Sequence, residues 1–160
     1  MTNWKTLNLL QPEDIVKTFI EAWNERDAVK LASVFVSDAE FVNVTGLWWH
    51  NQDDIYKAHE YGLRVIFDQS TLKLMRTKTR YLSDTVALVH AKMKLSDQTT
   101  LKGDTTLADR RNILLFVATK KGANWWCEAV QNTEILPGKE TFTVKQDGSV
   151  EAVNYGKFKS

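Results

Sequence analysis

The chain lacks most of what would commit it to a special environment or a well-marked chemistry. Its single cysteine, Cys127, excludes an intramolecular disulfide and any zinc site built on several thiolates, and it suits a reducing compartment. No run of apolar residues is long enough to span a bilayer, and MTNWKTLNLLQPED has no long apolar core of the signal-peptide kind, so the expected location is the cytoplasm. Charge of one sign is also missing. With 21 basic and 20 acidic residues the formal net charge is +1, which gives no electrostatic footprint for nucleic acid or an anionic membrane. There is no nucleophile elbow, phosphate loop or metal-ligand cluster, and no internal repeat or low-complexity tract.

What remains is ordinary globular composition, 43% hydrophobic and 26% charged over 160 residues, with six tryptophans. Trp23, Trp48, Trp49, Trp125 and Trp126 lie in or beside predicted elements where they can line a core or a cavity, whereas Trp4 looks peripheral. Pro12 followed by Glu13 and Asp14 predicts a helix start, and Ile15, Phe19 and Trp23 then share one face. Asp27 predicts the N-cap of a second, shorter helix that carries Leu31, Ala32 and Phe35 inward. A first strand is expected near Ala39 to Val44, with Gly46 in the turn before Trp48. Asp53 and Asp54 open a third helix whose inner stripe reads Ile55, His59, Leu63 and Ile66 or Phe67.

Four long strands follow, Thr71 to Leu82, Thr85 to Leu95, Arg110 to Thr119 and Asn124 to Glu134. Helices first and strands afterwards imply an α+β fold with an antiparallel sheet. In Arg110 to Thr119 both alternating sets are apolar, so both faces need cover, and three helices can cover only one. A second subunit in a two-fold dimer is the expected cover, with the C-terminus as the other candidate. The polar stretch Ser96 to Ala108 reads as a long connection able to act as a flap. After Pro137 and Gly138, FTVKQDGSVEAV reads as a hairpin about an Asp-Gly turn, so the chain divides into a domain over 1–136 and an extension over 137–160.

Several motifs in this order carry a family resemblance: DAEFVNV at Asp38 to Val44, Gly46 with Trp48, Ile55 with His59, VALVH at Val86 to His90, Arg111, and Trp126 through Asn132-Thr133. Over about residues 12 to 135 the chain resembles the nuclear-transport-factor-like superfamily, most closely its SnoaL-like branch of SgcJ/EcaC-type proteins. His50-Asn51-Gln52 stand where that branch usually carries Gly-Arg. The resemblance implies a cone, with three N-terminal helices packed on a strongly curved antiparallel sheet enclosing a pocket. The superfamily holds polyketide cyclases, ketosteroid isomerases, epoxide hydrolases and scytalone dehydratases beside transport and assembly modules that do no chemistry, so it speaks to shape more than to activity.

Within that expected pocket His59 is the titrating candidate, because imidazole changes charge near neutrality, and a buried structural histidine is the alternative. Asn43 alternates with Phe41, and its amide can orient a carbonyl or a water, as the resembling epoxide hydrolases suggest, or tie strand to helix. Trp126, Glu128, Val130 and Asn132 share a face by strict alternation, which offers Glu128 as a base near Asn132 if that face is inward. Arg111 can fix a carboxylate or polarise an oxygen. Trp23, Phe41, Trp48 and Phe67 complete the expected ligand walls. His90 is expected at an interface, and Asp38 is expected to cap or brace a turn.

Two functions fit. One is a cofactor-independent acid-base enzyme of isomerase, cyclase or dehydratase type acting on a small apolar ring or carbonyl compound, with His59 moving a proton while Asn43 and Asn132 hold the oxygen. The other is a non-catalytic binding or dimerisation module. A metal centre is not expected, since histidines at 50, 59 and 90 have no ligand spacing.

Overall fold

A computed structural model describes residues 1–100, 107–154 and 156. The chain forms α1 (Pro12–Glu25), α2 (Ala28–Ala32), β1 (Phe35–Val42), β2 (Trp48–Trp49), α3 (Gln52–Val65), β3 (Thr71–Ser83), β4 (Val86–Ser96), β5 (Arg110–Lys121), β6 (Asn124–Glu134), β7 (Thr141–Val144) and β8 (Val150–Val153). It is the α+β architecture expected, a helical hairpin and a first strand, then α3, then four long strands. Residues 101–106 of the expected flap lie outside the described residues.

Helices α2 and α3 each start where a side chain satisfies a first-turn amide. Asp27 accepts from the Lys30 N–H at 2.8 Å, and Asn51 accepts from the Asp54 N–H at 2.8 Å. Helix α1 ends on Arg26, which holds a left-handed backbone at φ 61°. A non-glycine residue there is costly, and its guanidinium compensates by donating to Asp68 O at 2.7 Å, to Trp23 O at 2.7 Å and to Ser70 O. Beside it the Asn24 amide imitates a strand partner, donating to Leu72 O at 2.9 Å and accepting from Leu72 N–H at 2.8 Å.

Six strands form one sheet in the order β2-β1-β6-β5-β4-β3. The sheet is mostly antiparallel, as expected: every pairing in it is antiparallel except that of β1 with β6, which run parallel. Those two strands are separated by almost the whole domain, so no tight turn dictates their relative direction. Residues Ala87, Val89, Ala91, Met93, Leu114 and Phe116 are buried against Ile15, Val16, Phe19 and Ile55 of the helices.

Strand β6 changes face partway. Cys127 pairs with Ala118 and Ala129 with Val117, so Glu128 is an unpaired extra residue, a β-bulge. Before it Trp125 and Cys127 are buried; after it Val130 is, and Asn132 follows on the same inner face. The C-terminal strands β7 and β8 pair only with each other, as a hairpin whose Asp147-Gly148 turn is closed by Asp147 accepting from Ser149. Among the described residues no helix is long and apolar enough to cross a membrane.

Candidate functional site

Between the helices and the concave side of the sheet lies a cavity of about 150 Å³. Helix α3 brings His59 into it one turn after the buried Ile55, and α1 supplies Phe19 and Trp23. Phe67 joins them because Gly62 leaves room for its ring: a Cβ at that position would meet Phe67 Cδ2 at 3.2 Å. The imidazole stands in an aromatic enclosure, its centroid 5.2 Å from Phe41, 5.7 Å from both Phe19 and Trp49, and 6.4 Å from Trp23, all edge to face.

Burial pushes the His59 pKa down to about 4, against a smaller opposing effect of its bond to the Ile55 carbonyl. The ring is therefore neutral at pH 7. Its Nδ1 lies 2.7 Å from Ile55 O, a pure acceptor, which assigns the proton to Nδ1 and leaves Nε2 as a lone-pair acceptor. Among the described residues no group bonds Nε2, whereas every fully buried side-chain nitrogen and oxygen among them has a partner. Nε2 is thus open to the cavity.

The opposite wall is polar and comes from β5, β6 and the end of β1. Arg110 makes a bidentate pair with Glu134, Nη2 to Oε2 at 2.8 Å and Nε to Oε1 at 3.2 Å, and donates Nη1 to Gln98 at 2.9 Å. Asn112 Nδ2 donates to Glu134 Oε2 at 2.9 Å and to Asn132 Oδ1 at 3.0 Å. A carboxylate only accepts, so Glu134 fixes the Asn112 amide, which in turn fixes Asn132 with Nδ2 uncommitted. Asn43 is oriented in the same manner: Oδ1 accepts from the N–H groups of Thr45 at 3.0 Å and Leu47 at 2.8 Å, leaving Nδ2 uncommitted. The cavity therefore offers one neutral acceptor on the helix side and two amide donors on the sheet side, with the Arg110–Glu134 ion pair closed on itself.

Of the residues singled out from the sequence, His59, Asn43, Asn132, Trp23, Phe41 and Phe67 line this cavity. Four do not. Trp48 is 60% exposed and donates to Glu40, because on the two-residue strand β2 the inward position belongs to Trp49. Arg111 faces outward since the even-numbered residues of β5 point in, which makes Arg110 the arginine of the wall. The bulge places Trp126 and Glu128 on the other side from Asn132: Trp126 lines a separate shallow cleft with Trp4, and Glu128 accepts from Thr119 at 2.6 Å. Arg110, Asn112 and Glu134 were not anticipated, and their only sequence signal is an Arg-x-Asn and an Asn-x-Glu, each at strand spacing.

The histidines are far apart in role. His50 bonds Glu40 at 2.9 Å beside β2, His59 is in the cavity, and His90 is exposed on the outer sheet face. Among the described residues no three His, Cys, Asp or Glu side chains gather as metal ligands. Burial raises the pKa of the Cys127 thiol, so it is not a nucleophile in waiting.

No family model matches this chain, and no curated protein does. Solved structures do. An uncharacterised protein with a cystatin-like fold from Caulobacter vibrioides superposes with TM-score 0.71 at 24% identity, covering 78% of this chain and 87% of that one. A ketosteroid isomerase-like protein from Erwinia carotovora atroseptica gives 0.66 at 13% identity over 78% and 94%. An NTF-2 like protein of unknown function from Shewanella oneidensis gives 0.60 at 14% over 75% and 93%. The chain has the cystatin-like, nuclear-transport-factor-like fold.

Proposed function

We propose that the cone binds a neutral, one-ring organic compound bearing a hydroxyl and a carbonyl group. The observation that carries this reading is His59 Nε2, an unpartnered neutral acceptor inside an aromatic enclosure. A free volume of about 150 Å³ suits one ring, roughly the space that accommodates benzene. An anionic ligand would find Arg110 already neutralised by Glu134, whereas a hydroxyl can donate to Nε2 while a carbonyl oxygen accepts from Asn132 or Asn43 Nδ2.

The same three atoms support an acid-base step. Nε2 can take a proton from an acidified C–H or O–H while the amide donors hold the oxygen on which negative charge develops, the arrangement that proton transfer next to a carbonyl requires. A base with a pKa near 4 removes only protons that the substrate already makes acidic, so enolisable or dehydrating ring compounds are the class it serves.

Titration of the protein with monocyclic phenols, hydroxy-ketones and their two-ring homologues, followed by heteronuclear NMR, tests the reading. The expected result is saturable binding of the one-ring set with shifts at His59 and Asn132, lost in His59→Phe. Equal binding of two-ring compounds, or binding unaffected by that substitution, overturns it. Deuterium exchange at the ligand's α-carbon, present in the wild type and absent in His59→Phe, separates catalysis from binding.

For assembly, the apolar outer residues of β5 support a homodimer through the sheet, and a lone buried thiol suits the cytoplasm. The same reading divides the chain into a cone over 1–136 and an extension with a β-hairpin over 137–160.

A further inference from the structure

The shallow cleft that Trp4 and Trp126 share encloses about 340 Å³ and includes no residue of the central cavity. Its tryptophans are held in place by the backbone around them. Lys5 N–H donates to the buried Ser33 hydroxyl at 2.8 Å, Leu9 N–H donates to Asn124 Oδ1 at 3.2 Å, and Leu9 O accepts from Trp125 N–H at 2.8 Å, which pins the segment carrying Trp4. Trp4 also meets Tyr56 of α3 edge to face at 5.8 Å. On β6 Trp125 and Cys127 face the core, so alternation turns Trp126 the other way, into the cleft. Both rings are half-buried, and neither indole N–H has a hydrogen-bond partner among the described residues.

Gln52, which also lines the cleft, is only 7% exposed. Its Nε2 donates to Ala32 O at 2.9 Å and to Phe35 O at 3.0 Å, both pure acceptors, so the amide orientation is fixed and Oε1 is the atom left over. Among the described residues nothing bonds Oε1, yet no fully buried side-chain oxygen among them lacks a partner, so Oε1 is reached from the cleft. Asp38, expected from the sequence to cap or brace a turn, lines the same cleft and makes no hydrogen bond or ion pair among the described residues. The two cations of the cleft are already matched, Lys5 by Asp27 and Lys121 by Glu128 at 3.6 Å.

These atoms select a ligand class. An anion finds no uncommitted cation, and an organic cation meets Lys5 and Lys121 beside Asp38. A neutral polyol escapes both conflicts: its hydroxyls donate to Gln52 Oε1 and to the Asp38 carboxylate and accept from an indole N–H, while its C–H face packs on an indole. We propose that the Trp4–Trp126 cleft is a second ligand site, independent of the cone, for a neutral saccharide of two rings. Its volume is more than twice the 150 Å³ of the central cavity, which on the same scale suits one ring.

Titration of the full chain with maltose, cellobiose and lactose, with glucuronate and choline as charged controls, is followed at the indole N–H signals of its six tryptophans. The expected result is a saturable shift at Trp4 and Trp126 with at least one of the disaccharides and no comparable shift with either charged probe. Asp38→Ala alters an exposed side chain that has no partner among the described residues, so the unfolding midpoint should stay where it is. Saccharide binding should weaken about tenfold in that variant, the loss of one hydrogen bond to a charged acceptor. In His59→Phe, which changes the cone alone, saccharide binding should be unaltered. No saturable shift with any of the three disaccharides, undiminished binding in Asp38→Ala, or loss of binding in His59→Phe overturns the site. Stronger binding of choline or glucuronate than of every disaccharide overturns the ligand class.

Discussion

The two walls of the cavity solve opposite problems with polar atoms. On the sheet wall Arg110, Glu134, Asn112 and Asn132 spend most of their hydrogen-bonding capacity on one another, which fixes their orientation and cancels their charge. On the helix wall His59 uses one ring nitrogen to hold its tautomer and leaves the other bare among aromatic rings. A polar group left unpaired in such surroundings is costly. The closed wall is therefore satisfied within the protein, and the open one keeps an unmet hydrogen-bond acceptor.

The contrast can be broken from either side. Phe19 is buried at 2% exposure and touches His59, Trp23 and Phe116, so Phe19→Ala should cost about 3–5 kcal/mol in denaturant unfolding by removing a pillar of the helix wall. Acid attacks the same wall more selectively. The folded-state pKa of His59, about 4, lies below its ordinary 6.5, so between those values the unfolded chain takes up a proton that the folded chain refuses. Stability present above pH 6.5 should fall as pH drops toward 4, by on the order of 3 kcal/mol from this group. The check is the difference between wild type and His59→Phe, whose stability should lack this part of the pH dependence.

On the sheet wall Glu134→Gln leaves Arg110 without its counter-charge. The pair is only partly buried, with side-chain exposures of 30% and 23%, so the expected cost is about 1–2 kcal/mol. Because Gln can donate as well as accept, the Asn112 and Asn132 amides lose their fixed orientation, and ligand affinity should drop more than stability does. Trp48→Ala should be the quietest change, within about 0.5 kcal/mol and with no effect on ligand binding, since that indole stands outside the cavity.

The helix wall was readable from the sequence and the sheet wall only in part, in Asn43, Phe41 and Asn132, for a physical reason. Helical spacing alone puts Ile55, His59 and Leu63 on one stripe, and the caps at Asp27 and Asn51 sit within a residue or two of the starts that composition suggests. A strand gives a choice of two faces. When both are apolar, as in β5, nothing in the local pattern says whether Arg110 or Arg111 looks inward, and the helices' contact decides it. In β6 the alternation itself breaks at Glu128, so a rule of period two carried from Trp126 to Asn132 crosses from one face to the other. Bulges leave no trace in a hydrophobic pattern, because what creates them is the register with the neighbouring strand.

The stitching at the end of α1 makes that end of the helix layer rigid. Asn24 grips Leu72 by both its amide hydrogen and its carbonyl, while Arg26 and the Trp23 indole lock onto the segment leading into β3. Breathing at that end would rupture several bonds together. The Leu72 amide should therefore rank among the slowest in the domain to exchange with deuterated water.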